Sequence, residues 1–523
     1  MILSDKDNVT SLRRQVNSCL ELLRQYEWLI NSFVLDFFHE NHWETLPSCW
    51  QEFLADLSPG ELADWLDTDG SAHKSSSRPW PLSLLALKQS IKHLSLNRSP
   101  VSDLAHVVSY LGESTAKFSN CSDNDQDIND NVTDRWQFEA ELMPGSSKHH
   151  QSLKHVFRKH VKPKKQYELC RLGKLASVVA ESVDLNKVLD IGSGVGHLSR
   201  YLCYNHKLSV ACVDGDNSLT VSARKFDEEL EKTVEKMSRW TVNRAEIELP
   251  PSPVHVTAHV SPDMNLNTFH SLLRDGFNLH EASLQYGLVG LHTCGDLASV
   301  LLRMFTMDPA SRMINSLGCC YMKIIQHWPM SRHVTNTPWH ALNYTSTELA
   351  CHAIEVYVER LRLKGEEERD KLKVHCYRAV LEKLLIERGV RYRHTILKTV
   401  TKSHLLSFPE YVRRATVNLV KDAELEPFSE EELDNDDVNK ELGQWWKVVI
   451  FYSLRLAFAP VIGKKYQTKD YSKSYITSIL SETVILLDRC LFLLENGCDS
   501  LMFPLFDPLL SPRNQVIVAV KKS

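Results

Sequence analysis

The sequence predicts an α/β protein: a doubly wound sheet with an N-terminal helical region and a large helical insertion before the last two strands. Three observations predict it. Short β-branched runs alternate with helical segments from residue 187 to residue 319. An apolar run ending in a carboxylate passes through three glycines, Asp190-Ile-Gly192-Ser193-Gly194-Val-Gly196, and opens a helix. Two further apolar runs, 501–506 and 514–520, stand beyond a long stretch of helical character and are joined by Asp-Pro and Ser-Pro turns.

The 523 residues suffice for about three domains and for a core that needs no staples. With 43% hydrophobic and 24% charged residues, the composition excludes collagen-like and globally disordered chains. Lys and Arg total 61 against 66 Asp and Glu, a net charge of -5. That excludes a nucleic-acid binder driven by whole-chain charge but leaves room for a local basic patch. Residues 1–10 show neither a basic start nor an apolar core, so the expectation is an intracellular protein of cytoplasm or nucleus. The 13 cysteines, odd in number and mostly set in apolar runs, fit reduced thiols there.

In chain order, residues 1–111 read as a helical region. Apolar residues recur at helical spacing from Val9 to Leu66, Ser58-Pro59 with Glu61 marks a helix start, and Trp80 to Leu96 forms another helix. Residues 112–151, rich in Ser, Asn and Asp without periodicity, read as a disordered linker. Residues 152–325 hold the first part of the sheet domain. Its strands are expected at 187–191, 208–214, 255–260, 288–292 and 313–319, with helices at 196–205, 219–239 and 264–275 between them. Residues 326–480 form the helical insertion, in which the acidic stretch Ser429 to Asp437 reads as a solvated loop. Residues 481–523 supply a final helix and an antiparallel strand pair. The apolar run Val448 to Ile462 contains Arg455 and Pro460 and falls short of the about 20 residues that a membrane span requires. A buried helix is the better reading; contact of 448–462 with a membrane surface stays open.

The chemistry sits in the glycine loop. Glycines let a ligand approach the backbone closely, and the helix that follows offers free N–H groups. A dinucleotide fingerprint needs a third glycine where His197 stands, so the pattern here is D-x-G-x-G-x-G. The carboxylate of Asp190 repels a pyrophosphate and suits an ammonium group. The second strand ends in Asp214, which suits ribose hydroxyls. Acids and glycines at two adjacent strand tips point to a nucleoside with a cationic, non-phosphorylated tail, which describes S-adenosyl-L-methionine.

Asp190 to Gly196 with Asp214 resembles the first two motifs of the class I, Rossmann-like methyltransferases. Further segments narrow the resemblance: Lys164-Lys165-Gln-Tyr-Glu168, Leu291-His292-Thr-Cys294-Gly295-Asp296-Leu297, Gly318-Cys319-Cys320-Tyr321-Met322-Lys323 and Ser511-Pro-Arg-Asn514. Together they resemble the methyltransferase-like protein 25 family, also named for a ribosomal RNA adenine dimethylase domain. The H-x-C-G-D and Cys-Cys elements are similar to those of tRNA ribose methyltransferases. The resemblance implies that Asp190, Gly192 and Gly194 line the methionine side of S-adenosylmethionine, with Ser193, Gly196 and His197 also binding the cofactor. It implies further that Asp214 holds the ribose and Asp263 the adenine amino group. It implies RNA methylation, with ribose hydroxyl and base nitrogen both open as acceptors. A protein methyltransferase and a catalytically silent cofactor-binding scaffold are the alternatives.

His292, Cys294 and Asp296 are the candidates for the chemical step, as a general base or as packing around the acceptor. No metal site is expected, because adjacent Cys319 and Cys320 on a strand point to opposite faces and no C-x-x-C pair exists. Arg158, Lys159, Lys162, Lys164 and Lys165 form a local basic run before the glycine loop and are the candidate RNA contacts. The helical insertion is a candidate surface for a protein partner.

Overall fold

The computed structural model describes residues 2–3, 6–67, 79–114, 138, 159–240, 252–261, 263–277, 285–338, 340, 354–362, 366–422, 424–457 and 479–521. The chain forms two compact units: residues 1–17, 97–340 and 485–523 make the first, and residues 18–96 and 341–484 the second.

The first unit is built on a mixed sheet of eight strands: β1 (Ile2–Leu3), β2 (Lys187–Ile191), β3 (Ser209–Asp214), β4 (Val254–Thr257), β5 (Tyr286–Thr293), β6 (Ser311–Gly318), β7 (Ser500–Pro504) and β8 (Gln515–Val520). They lie in the order β1-β7-β8-β6-β5-β2-β3-β4. Strands β4, β3, β2, β5 and β6 run parallel, while β8 is antiparallel to both β6 and β7. From β2 the chain winds outward through β3 to β4, then returns to β5 on the other side of β2. The winding direction reverses between β2 and β5, and that crevice is where open α/β sheets bind ligands.

The alternation of side chains fixes which face each helix covers. On one face Val188, Val210, Cys212, Val289 and Leu291 pack into a cluster with Leu172, Leu175, Ala176 and Val179 of the helix Pro163–Ser182, and with Leu198 and Leu202 of the helix His197–His206. Each leucine fully buried there contributes about 1.5–3 kcal/mol. On the other face, Gly276 of the helix Leu266–Phe277 lies against Ala211, and Leu301 of the helix Asp296–Met307 lies against Gly290.

The seven strands expected between 187 and 520 all form, with ends shifted by at most three residues. The C-terminal pair is the expected antiparallel hairpin, with β8 laid inside it against β6. Of the expected linker, Gly112 to Ser114 complete a helix, Ala105–Ser114, and Phe138 packs against Arg171, whose guanidinium lies 3.8 Å from its ring centre. The remainder of 112–151 lies outside the described residues.

In the second unit, the Ser58 start forms a full capping box with Glu61. The acidic stretch is a correction. Instead of a loop, it forms helices at Glu430–Leu433 and Asp436–Gly443. Ser429 and Glu432 cap the first reciprocally, and Asn435 caps the second. Acids in the first turn favour both helices through the helix dipole, and buried Leu433 and Val438 anchor them. The apolar run is a helix, Trp445–Ala457, in which Val448, Val449, Ile450 and Phe451 are buried. Arg455 is buried too and donates through Nη2 to the Ile30 carbonyl at 3.0 Å. Residues 458–462 lie outside the described residues, and no described helix is long and apolar enough to cross a membrane.

Candidate functional site

The glycine loop leaves β2 at the reversal of winding. Gly192, Gly194 and Gly196 have φ of 72°, 58° and 72°, the left-handed region that strains any residue with a Cβ. They are not equivalent. A Cβ on Gly196 would lie 2.8 Å from the His255 ring, whereas one on Gly194 would meet nothing within 4 Å. Gly196 is therefore a packing position, and Gly194 faces open space above the sheet. Gly196 also forms the N-cap of the helix His197–His206, whose first N–H groups point at the loop.

Asp214 at the tip of β3 ties the two strand ends together. Its Oδ2 accepts the Gly194 N–H at 2.8 Å and its Oδ1 accepts the Asp216 N–H at 2.9 Å. Each oxygen keeps a second lone pair, so the carboxylate is positioned to receive two hydroxyls. The Gly192 and Ser193 N–H groups bond the Val213 carbonyl at 2.8 and 3.4 Å. Asp190, expected at the methionine side of the cofactor, lies in β2 directly before the loop. It is 2% exposed and accepts the Ser199 hydroxyl at 2.6 Å, so it braces the helix start from below. Burial raises its pKa to about 6, against the lowering by Ser199 and Lys165. At neutral pH it is mostly ionised, and its field reaches the loop at short range.

Arg200 holds the loop from beneath, a role that the sequence pattern does not reveal. Its guanidinium donates to the Val195 carbonyl at 2.5 Å, to His197 Nδ1 at 3.0 Å and to buried Asp227 at 2.7 Å. Asp227 in turn bonds His255 Nε2 at 2.5 Å. Burial and the Arg200 charge push the His197 pKa down to about 3, so the ring is neutral and accepts from the arginine. His197 also stacks on Phe226, with ring centres 6.0 Å apart. It supports the loop through these contacts.

The other wall of the crevice is built around Glu168. This residue of the helix Pro163–Ser182 is 1% exposed. It bonds His292 Nε2 through Oε2 at 2.9 Å and accepts the Ser511 hydroxyl at Oε1 at 2.7 Å. Lys164 Nζ lies 3.6 Å from Oε1. Burial acts to raise the Glu168 pKa, but the hydrogen bond from His292 and the charges of His292, Lys164 and Lys165 outweigh it and hold the carboxyl at about 2. Three segments distant in sequence thus meet on one carboxylate. An ionised carboxylate only accepts, so His292 Nε2 donates in this bond, and Nδ1 is the ring's other nitrogen. His292 has φ of 65°, an uncommon backbone conformation for a side-chain-bearing residue and a recurrent mark of functional positions.

Asp296, a candidate for the chemical step, is engaged by backbone amides. Its carboxylate accepts the backbone N–H groups of Ile325, Gln326 and His327 at 3.0 to 3.4 Å. It clamps the segment after β6 to the start of the helix Asp296–Met307. Asp263 is exposed in a turn beyond β4, and its charge and that of Asp296 both act on His327.

Cys294 follows β5, and Cys319 and Cys320 follow β6. The expectation that Cys319 and Cys320 face opposite ways is a correction, because β6 ends at Gly318 and strand geometry no longer applies. The Cys294 and Cys319 sulfurs are 3.0 Å apart, and those of Cys319 and Cys320 3.5 Å.

Of the basic run, Arg158 lies outside the described residues. Lys159 pairs with Glu229 at 2.6 Å, and Lys164 is held near Glu168. Lys162 is exposed at the N-cap of the helix Pro163–Ser182. Lys165 is half-buried, and its charge acts on Glu168, Asp190 and His197. It therefore belongs to the crevice more than to an outer surface.

Comparison with known proteins gives the same reading. A family model described as a methyltransferase domain matches residues 164–327. The chain is 29% identical over 254 residues to a human protein called probable methyltransferase-like protein 25, and to its mouse counterpart. Each match takes in 45% of this chain and spans 37% of the length of the relative. The matched domain covers Glu168, the glycine loop, Asp214, His292 and the cysteine cluster. The chain carries a methyltransferase domain of the class I fold, and over part of its length it is similar to the methyltransferase-like protein 25 relatives.

Proposed function

We propose that the protein transfers a methyl group from S-adenosylmethionine to RNA, at a ribose hydroxyl or a base nitrogen. The observation that carries the cofactor half is the loop at the crevice, with three left-handed glycines and open space above Gly194. The donor set fits the cofactor: the Asp214 carboxylate for ribose hydroxyls, the Asp190 charge beneath the loop for a cationic tail, and exposed Asp263 beyond β4 for an exocyclic amine. When bound, S-adenosylmethionine supplies an electrophilic methyl group on a sulfonium.

The chain's own residues bind, orient and accept a proton. Methyl transfer needs an in-line approach, so fixing the acceptor supplies much of the effect. His292 Nδ1 is the atom we assign to the acceptor's proton, with Glu168 fixing the ring. RNA as the acceptor class is supported by the resemblance to RNA methyltransferases and by Lys162, Lys164 and Lys165 beside the crevice.

The test is transfer of labelled methyl groups from S-adenosylmethionine by the full chain incubated with total cellular RNA and protein. The expected result is label in RNA that ribonuclease removes. Label that stays in protein after ribonuclease treatment would overturn the RNA assignment. Gly194→Ala separates binding from folding. With no atom within 4 Å of the new Cβ, it is expected to cost about 1 kcal/mol of stability through its left-handed φ. It is also expected to weaken cofactor binding at least tenfold, by filling the ligand's space. A thermal melt and a titration read the two effects apart.

A further inference from the structure

The three sulfurs at the tips of β5 and β6 have no part in the reading above. Cys294, Cys319 and Cys320 bring their Sγ atoms to within 4.8 Å of one another, and among the described residues these three make up the group. A zinc ion with Zn–S bonds of about 2.3 Å, coordinated tetrahedrally, holds its sulfurs about 3.8 Å apart. The closest pairs here stand at 3.0 and 3.5 Å and no pair exceeds 4.8 Å, so receiving an ion changes each separation by no more than about 1 Å.

The backbone around the sulfurs is already fixed. The Gly295 N–H bonds the Cys320 carbonyl at 3.1 Å, and the Lys323 N–H bonds the same oxygen at 3.0 Å. A Cβ on Gly295 would lie 2.3 Å from the Lys323 carbonyl oxygen, so a glycine there lets the two cysteine-bearing loops close on each other. The charges of Lys323 and Arg513 act on Cys320. Three thiolates around a divalent ion carry a net charge of -1, and these two cations offset it. Three soft ligands favour zinc or another thiophilic ion over magnesium or calcium.

We propose that Cys294, Cys319 and Cys320 form a zinc site with three thiolate ligands and a fourth position left for water or an incoming group. Three protein ligands and an open position distinguish such a site from closed structural zinc sites. Its place at the tips of β5 and β6, next to His292, puts it at the acceptor side of the crevice. Binding releases the thiol protons to solvent and involves no redox step.

The test uses the full chain purified with reductant and without chelator, and elemental analysis of the metal it carries. One zinc per chain is expected. After zinc is removed and cobalt(II) is added, a thiolate-to-cobalt charge-transfer band is expected. Cys320→Ser should lose both the zinc and the band while keeping its far-ultraviolet circular dichroism. Cys49→Ser, at an exposed cysteine far from the group in sequence, should keep both. Fully reduced, folded protein without stoichiometric zinc and without the cobalt band would overturn the proposal. So would a disulfide linking two of the three cysteines in protein purified with reductant. Cofactor titration of the zinc-free protein is a separate measurement, so failure here leaves the methyltransferase reading standing.

Discussion

Replacing Glu168 with alanine is expected to destabilise the sheet unit by about 3–5 kcal/mol, the range for removing one member of a buried ionic network. The carboxylate joins the helix Pro163–Ser182 to His292 near the end of β5 and to Ser511 between β7 and β8. Its loss leaves His292 without an orienting acceptor and the Ser511 hydroxyl without its partner. The pH dependence gives an independent check. Glu168 titrates at about 2 in the folded protein, against an ordinary value of 4.5. A depressed folded pKa means that its contribution is complete above pH 4.5 and is lost as pH falls toward 2. The difference corresponds to roughly 3 kcal/mol. Denaturant unfolding at pH 7 and at pH 3 should therefore show the gap between wild type and Glu168→Ala narrowing in acid. A gap that stays constant would contradict the ionic account and leave only a packing loss.

Gly295→Ala is the second large effect, at about 3–5 kcal/mol from backbone strain and overlap together. Gly295 has φ of 59° and ψ of -131°, a combination open essentially to glycine alone. The new methyl would also lie 2.3 Å from the Lys323 carbonyl oxygen, which backbone contacts hold in place. Relief requires the loop after β6 to move away from the loop after β5. The bond from the Gly295 N–H to the Cys320 carbonyl is lost with it. Thermal unfolding should show a midpoint several degrees below that of Gly194→Ala, although both replace a left-handed glycine in a strand-tip loop. Equal midpoints would mean that the contact at Gly295 carries no weight.

The sheet was legible in the sequence because its strands are short, β-branched and separated by helices with clear periodicity. The glycine loop was legible because left-handed backbone demands glycine, and three of them within five residues leave few other readings. What stayed hidden lies in contacts between segments distant along the chain. Lys164-Lys165-Gln-Tyr-Glu168 and Ser511-Pro-Arg-Asn514 stand out as motifs, but nothing local says that Glu168 meets both His292 and Ser511. Asp296 follows Gly295 like a candidate base, and only the fold shows that three amides occupy it. The bond from the Ser199 hydroxyl to Asp190 is likewise not announced by the loop pattern. The cysteine pair was misread for a local reason, since β6 ends one residue before Cys319. One miss had a usable cue: Ser429-Glu-Glu-Glu432 is a capping-box pattern, and its run of acids at a helix start reads as a loop only when charge is weighed without the dipole.

The central claim is that the crevice between the glycine loop and the tip of β3 binds S-adenosylmethionine. Calorimetric titration of the full chain with that cofactor, beside an Asp214→Ala variant, tests it most directly. The account predicts saturable binding at one site per chain and a loss of at least tenfold in affinity in the variant, whose circular dichroism should match wild type. Absence of binding by folded wild-type protein, or equal affinity in the variant, would contradict it.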